Sequence, residues 1–374
     1  MTDRVPAEVF PPGEFLRDEL EARNWTQTEF AEIIERPTRL VNEVIAGKRG
    51  VTPETASEFA AALGTSAQFW MNLESSYQLS KISPALERIS RTANLRERFP
   101  VREMLKRGWI EGSENVEVVE QRVLNFFNVK SVEDEVRFSH AARRNHEEEI
   151  STIQLAWLFR VRQLASALSV PQYSKKLLQA ALGDLEALMT EPEEIRHVPT
   201  ILHEAGVRFV IVEPVPRSEI EGVCFWIDNN KAPVIGLTLR YGRIDNFWFN
   251  LRHEIEHVLN GDGKSGVIID DTELLSGSVD QSDEERVANE AAANFCVPSQ
   301  NLTDFIGRLD PMYSKKNLIG FARLMQRHPG IVVGQLQKRT GRWELFRNYQ
   351  VDVRQFIVQS SLADGYGKSA PALE

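Results

Sequence analysis

The stretch RIDNFWFNLRHEIEHVLNG, residues 243–261, decides how the C-terminal half of the chain is read. Phe247, Trp248, Phe249 and Leu251 lead into it and Val258 and Leu259 close it, so a helix is expected from about Arg243 to Asn260, with Gly261 near its end. His253 and His257 stand four residues apart, which puts them one turn apart on one helix face. Two imidazoles so placed can reach a single tetrahedral metal ion. Glu254, the next residue along, can take a proton from water beside such an ion. An ion with an open position acidifies water and polarises a scissile carbonyl. The competing reading is two partly exposed histidines on a helix whose polar face also carries Arg252, Glu254 and Glu256.

A third ligand is needed, and the residues by themselves leave its identity open. Cys296, His203 and His328 qualify by type. So does the acidic run Asp283-Glu284-Glu285, which opens a helix rich in small alanines (Ala288, Ala291, Ala292, Ala293) that can approach another helix closely. Glu285 also sits at N3 of a capping box begun by Ser282, so capping and ligation compete for one carboxylate. Upstream, the runs 207–212, 223–227 and 233–239 are β-branched and apolar, and they predict a small sheet. Residues 321–337 read as structural, and 352–374 turn polar and glycine-containing, with the final residues expected to form a loose tail.

The N-terminal eighty residues read as short helices. Thr26 and Glu29 form a capping box, Pro37 stops the helix that follows, and a second helix runs from about Pro37 to Ala46. Gly47 is placed as its C′ residue, Pro53 as N1 of the next helix and Gly64 as that helix's end. Two helices joined so tightly suggest a helix-turn-helix. Thr38, Arg39 and Asn42 lie opposite the apolar face of the second helix. Gln27 begins the first, and Lys48 and Arg49 follow where phosphate contacts would sit. Against DNA stand the charges: residues 1–80 hold seven Lys or Arg and thirteen Asp or Glu, with Glu32, Glu35 and Glu43 near the expected DNA face. A bundle that only dimerises or holds a partner is the alternative.

Residues 80–200 are mostly helical by pattern and say little about function. Leu155, Trp157, Leu158, Val161, Leu164 and Leu168 suggest one amphipathic helix, and Leu177, Leu178, Ala181 and Leu185 another. The basic run at 91–107 reads as a solvated helix face, residues 145–149 as polar surface, and His140, His146 and His197 as ordinary histidines. Over all 374 residues the net charge is −10, so charge alone gives no case for nucleic acid. Two cysteines, Cys224 and Cys296, argue against a disulfide scaffold or a cysteine-rich metal site. With no long apolar run and no apolar leader, a cytoplasmic protein without a membrane span is expected.

Two resemblances complete the reading. PGEFLRDELEARNWTQTEFAEII, GKRGVTPETASEFAAALGTS and AQFWMNLE resemble the lambda-repressor-like (XRE) helix-turn-helix family, closest to its HigA-antitoxin branch. That resemblance implies Gln27, Thr38, Arg39 and Asn42 as DNA contacts. Glu35 stands near the turn position where the family often has glycine. GVRFVIVEP, PVIGLTLRYGRIDNFWFNLRHEIEHVLNG and DEERVANEAAANFCVP resemble the ImmA/IrrE metallo-endopeptidases. This second resemblance implies a zinc ion (Zn2+) held by His253, His257 and Glu285, with Glu254 as catalytic base. Glu256 departs from the small residue common there and should point away from the metal.

The expected fold is mainly α with a small β-sheet. The expected domains are a five-helix helix-turn-helix domain at 1–80, a helical middle at 81–200, an α+β zincin-like peptidase domain at 201–350 and an extension at 351–374. The implied function is a DNA-binding regulator with a built-in zinc endopeptidase. It would sit as a homodimer on an inverted repeat and act on a protein substrate, a repressor or a toxin partner. The alternative is an antitoxin or repressor whose peptidase-like region only senses or binds a partner.

Overall fold

The structure, a computed structural model, describes residues 9–138, 150–264, 266–271, 282–357 and 363–364, with 82–85, 87, 270, 271 and 363 described by backbone alone. The readings of His140, His146 and residues 145–149 fall outside the described residues. The chain is mainly α-helical with one small sheet, and it forms two compact units, residues 1–93 and 94–374. No helix among the described residues is long and apolar enough to cross a membrane.

The first unit holds α1 (Pro12–Arg23), α2 (Gln27–Ile33), α3 (Thr38–Ile45), α4 (Pro53–Leu63) and the start of α5 (Ala67–Arg98). Its ends follow local chemistry. Thr26 and Glu29 make both bonds of a capping box, Pro53 opens α4 behind the Thr52 cap, and Gly64 ends α4 at φ +72°. Leu16, Phe30, Val41, Ala56, Phe59 and Trp70 are buried together as one core. α1 lies so close to the end of α3 that a Cβ on Gly13 would meet the Val44 carbonyl at 2.1 Å.

Glu35, in the turn between α2 and α3, adopts φ +55°. A side chain in that left-handed region costs about 1–2 kcal/mol, which glycine avoids. Glu35→Gly is therefore expected to raise the thermal midpoint of this unit. The net gain is up to ~1 kcal/mol after glycine's extra unfolded-state entropy. Glu35→Gln, which changes charge alone, should not reproduce it. A lower midpoint for the glycine variant would contradict the left-handed turn.

The second unit contains, after the end of α5, α6 (Val101–Lys106), α7 (Val116–Phe127), α8 (Thr152–Ala167), α9 (Lys175–Ala187), α10 (Val198–Glu204), β1 (Arg208–Val212), β2 (Ile220–Ile227), β3 (Ala232–Leu237), α11 (Ile244–Asn260), β4 (Ile268–Asp271), α12 (Asp283–Cys296), α13 (Ser299–Leu309), α14 (Lys315–Leu324), α15 (Pro329–Thr340), α16 (Arg354–Ile357) and β5 (Ala363–Asp364). The sheet order is β4-β2-β3-β1-β5. β2 runs antiparallel to β3 and β4, and β1 runs parallel to β3 and β5.

The period of two along each strand sends alternate residues to opposite faces. Val210, Val212, Val223, Phe225 and Val234 join the core that contains α8. Phe209, Ile211, Cys224, Ile235 and Leu237 join the core that contains α11. Both faces are covered, which is why β1 reads as an unbroken apolar run.

Residues 154–159 of α8 are all buried, so this helix is enclosed nearly all round rather than amphipathic at a surface. Its Trp157 is fully buried and donates Nε1–H to the Val212 carbonyl at 3.0 Å. A fully buried tryptophan is worth roughly 3–5 kcal/mol over alanine. Gly236 on β3 leaves room for this helix, since a Cβ there would meet Val161 at 2.8 Å. Part of the polar stretch 352–374 is structural: β5 pairs with β1, and buried Asp364 accepts from Trp109 Nε1 at 2.7 Å and Arg160 Nε at 2.6 Å, while the final residues fall outside the described ones.

Candidate metal centre

α11 starts at Arg243 as its N-cap and ends at Gly261 with φ +78°, close to the boundaries expected from its sequence. His253 and His257 project from one face, with their Nε2 atoms 3.0 Å apart. α12 packs along α11 through fully buried Ala288 and Ala292, side chains small enough to permit the approach. This brings Glu285 to the imidazoles: Oε2 lies 3.2 Å from His253 Nε2, and Oε1 lies 3.3 Å from His257 Nε2. The competition between capping and ligation resolves within the residue. Ser282 Oγ accepts the Glu285 backbone N–H at 3.3 Å, while the carboxylate turns to the histidines.

Among the described residues, these three buried side chains form a cluster whose ligand atoms all lie within 4.8 Å of one another. Tetrahedral zinc with bonds of about 2.0–2.2 Å sets its ligand atoms about 3.3–3.6 Å apart. The three separations here, 3.0, 3.2 and 3.3 Å, come within a few tenths of that. Two imidazole nitrogens and a carboxylate oxygen are suitable zinc donors, and three of them leave one position open. The residues therefore fit the ion. Burial pushes the Glu285 carboxyl up, but hydrogen bonds and charge from His253 and His257 outweigh it and hold the group well below the usual carboxylate range.

The other ligand candidates lie elsewhere. His203 Nε2 meets the Ser169 carbonyl at 3.0 Å, His328 caps α15 by accepting from Gly330 N, and Cys296 is buried outside the cluster. Glu256 turns away from the cluster to Arg252, at 2.6 Å.

Glu254 is wholly buried on α11, and β2 passes directly over it. A Cβ on Gly222 would lie 2.0 Å from Glu254 Oε1, so only glycine fits there. Three residues at the centre were not read from the sequence as part of a site. Asp262 Oδ2 lies 3.0 Å from His257 Nδ1. A carboxylate there directs the Nδ1 proton and leaves Nε2 free for a metal. The left-handed turn at Gly261 folds Asp262 back, and its own carbonyl accepts Trp226 Nε1–H at 2.7 Å. An aspartate just past the helix-ending glycine was the signal available. The other two are Gly222, with no local signal, and Phe249, one turn before His253, whose ring centroid lies 6.3 Å from the His253 ring.

In the first unit, Gln27 opens α2, and Thr38, Arg39 and Asn42 lie on α3. Gln27, Arg39, Asn42, Lys48 and Arg49 are exposed, while Thr38 is half-buried. Glu43 intervenes among them: it pairs with Arg39 Nε at 2.7 Å and with Arg49 Nε at 3.5 Å.

Comparisons with known proteins fall on this unit. Residues 16–70 match the helix-turn-helix family. The chain is 29 % identical over 84 residues to an uncharacterized HTH-type transcriptional regulator, YddM, of Escherichia coli, covering 22 % of this chain and 88 % of that one. It is 32 % identical over 69 residues to virulence-associated protein I of Dichelobacter nodosus, covering 18 % of this chain and 64 % of that one, so it spans less than two thirds of that relative. Among solved structures, PA4674 of Pseudomonas aeruginosa in complex with operator DNA is 33 % identical, covering 21 % of this chain and 87 % of that one, at a TM-score of 0.21. The Pseudomonas aeruginosa antitoxin HigA with the higBA promoter is 34 % identical, covering 21 % and 86 %, at a TM-score of 0.20. The chain therefore joins an N-terminal helix-turn-helix module to a helical and β unit that holds a buried His-His-Glu cluster.

Proposed function

We propose that this chain is a DNA-binding regulator with a zinc-dependent endopeptidase centre of the ImmA/IrrE kind. The observation that carries the peptidase half is the cluster His253, His257 and Glu285 with Glu254 on the same helix. Zinc, when bound, would supply Lewis acidity that polarises a peptide carbonyl and lets water ionise near neutral pH. Glu254 takes a proton from water as its oxygen bonds to the carbonyl carbon. It then delivers that proton to the leaving nitrogen as the C–N bond breaks. Asp262 orients His257, and Gly222 leaves space for the Glu254 carboxylate. Cleavage of a protein partner by the wild type but not by Glu254→Gln is the experiment that tests this half. The complete burial of Glu254 supports a second reading, a non-catalytic module that holds a toxin or repressor partner. That reading stands if no partner is cut.

The DNA half rests on the helix-turn-helix match and on the exposed residues of α3. As a homodimer, the chain would set two such helices on the halves of an inverted repeat. Arg39 and Asn42 would read base edges, arginine suiting guanine and asparagine adenine. Gln27 and Thr38 flank them, and Lys48 and Arg49 touch phosphate. Glu43 competes with DNA for Arg39 and Arg49.

The full-length protein is expected to protect a site upstream of its own gene in footprinting. Arg39→Ala should lose most of the preference for that site, and Lys48→Ala should weaken binding to all sequences alike. Glu43→Gln should tighten binding severalfold by releasing both arginines. No protected site there, and none in a selection from random duplexes, would overturn the DNA-binding reading.

A further inference from the structure

One turn before the metal cluster, α11 forms a wall of a cavity of about 320 Å³. Its aromatic lining is Phe249 on α11 with Tyr241 and Trp343 at the mouth, the last two left 50 % and 53 % exposed. Asn250, Gln335 and Lys338 supply the polar lining used here. Gln335 is 8 % exposed and lines the cavity, and its side-chain amide makes no hydrogen bond among the described residues. An amide that faces the hollow without a protein partner is open to hydrogen-bond a ligand in place of water. Lys338 Nζ sits 4.5 Å from the centre of the Phe249 ring and has no ion-pair partner among the described residues. Half-exposed aromatic rings around a mainly apolar hollow with a few placed polar groups are the make-up of a binding site.

Position supplies the identity of the ligand. Phe249 and Asn250 stand four residues before His253 and Glu254 respectively, one helical turn or about 5–6 Å along the axis. An extended peptide advances about 3.3–3.6 Å per residue. An extended chain whose scissile carbonyl lies at Glu254 and that runs toward the N-terminal end of α11 therefore has a side chain one or two residues away within reach of this cavity. Asn250, which lines the cavity, donates to Glu221 Oε2 at 3.0 Å, and Glu221 precedes Gly222 over Glu254, so one side chain links the cavity wall to the strand that covers Glu254.

We propose that this cavity is the specificity cleft of the peptidase centre and takes an aromatic side chain of the substrate, a step that rests on the peptidase reading. Tyr241, Phe249 and Trp343 enclose the ring, the Gln335 amide binds the peptide main chain, and Lys338 at the rim disfavours a basic residue there.

The probe is N-acetyl-Gly-(4-fluoro-Phe)-Gly-amide, followed by fluorine NMR as it is titrated into full-length, zinc-loaded Glu254→Gln protein, which should not cut it. A saturable shift is expected. N-acetyl-Gly-Phe-Gly-amide should reverse it, and the alanine counterpart should not. Adding Tyr241→Ala and Trp343→Ala together should weaken binding at least tenfold, with zinc content and circular dichroism unchanged, since both side chains are half in water. Absence of a saturable shift, or equal binding by that variant, overturns the cleft. A chain that binds the aromatic peptide but cuts no protein overturns the peptidase reading and leaves the cleft standing.

Discussion

His257→Ala is expected to take the chain from about one zinc per protomer to almost none. The substitution removes one of two imidazoles whose Nε2 atoms lie 3.0 Å apart and 3.2 and 3.3 Å from the two Glu285 oxygens, and it leaves two protein donors where catalytic zinc sites use three. It also deprives Asp262 of the imidazole it orients. The measurement is elemental analysis after purification, repeated after zinc has been added back and excess removed, so that metal stripped during handling is not counted as metal never held. Asp262→Ala should give the graded case. All three donors remain, but His257 loses the partner that fixes its ring, and zinc affinity should fall about 10–100-fold, as such outer partners typically contribute. Wild-type zinc content in His257→Ala would remove this cluster as the binding site.

Glu254→Gln should keep zinc and lose hydrolysis. The amide is nearly isosteric, so it fits the space beneath Gly222, where a Cβ would already collide with the carboxylate. Both imidazoles and Glu285 are untouched. What disappears is the base, because an amide cannot take the proton from water or return it to the leaving nitrogen. Turnover should drop by about 10²–10⁴, the usual worth of a positioned general base. The readout is the rate at which zinc-loaded wild type and variant cut the same partner protein, alongside their zinc contents. Unchanged turnover would take Glu254 out of the mechanism. Loss of both zinc and turnover would mean that Glu254 supports the site rather than the chemistry.

Features set by nearest neighbours along the chain were legible in the sequence. The Thr26–Glu29 capping box, the stop at Pro37, the entry at Pro53 and the helix ends at Gly64 and Gly261 each depend on residues within one turn, and each is found where local chemistry places it. The pairing of His253 with His257 is of the same kind, since a rise of about 1.5 Å per residue puts them on one face in any α-helix. The strands at 208–212, 220–227 and 232–237 were found for a related reason, an apolar run whose two faces both need cover. α8 shows where this reasoning stops. Its apolar spacing reads as a stripe on a surface helix, yet residues 154–159 are all enclosed, because the far face of a sheet that begins at residue 208 lies against it.

What the sequence by itself determined is therefore local: helix ends, strand period, two histidines on one face and a glutamate beside them. Only the tertiary structure decided which distant groups complete them. From the residues alone, Glu285 stood beside Cys296, His203 and His328 as a candidate, and it is the packing of α12 on α11, through small alanines at 288 and 292, that brings Glu285 to the two histidines. Gly222 over Glu254, and Asp364 between Trp109 and Arg160, likewise join atoms whose spacing along the chain carries no period, Trp109 and Asp364 being separated by 255 residues. Caps and helix faces are fixed by covalent geometry within a turn. Contacts across the core are chosen by burial, where a polar group excluded from water must find a partner at hydrogen-bond distance wherever the fold supplies one.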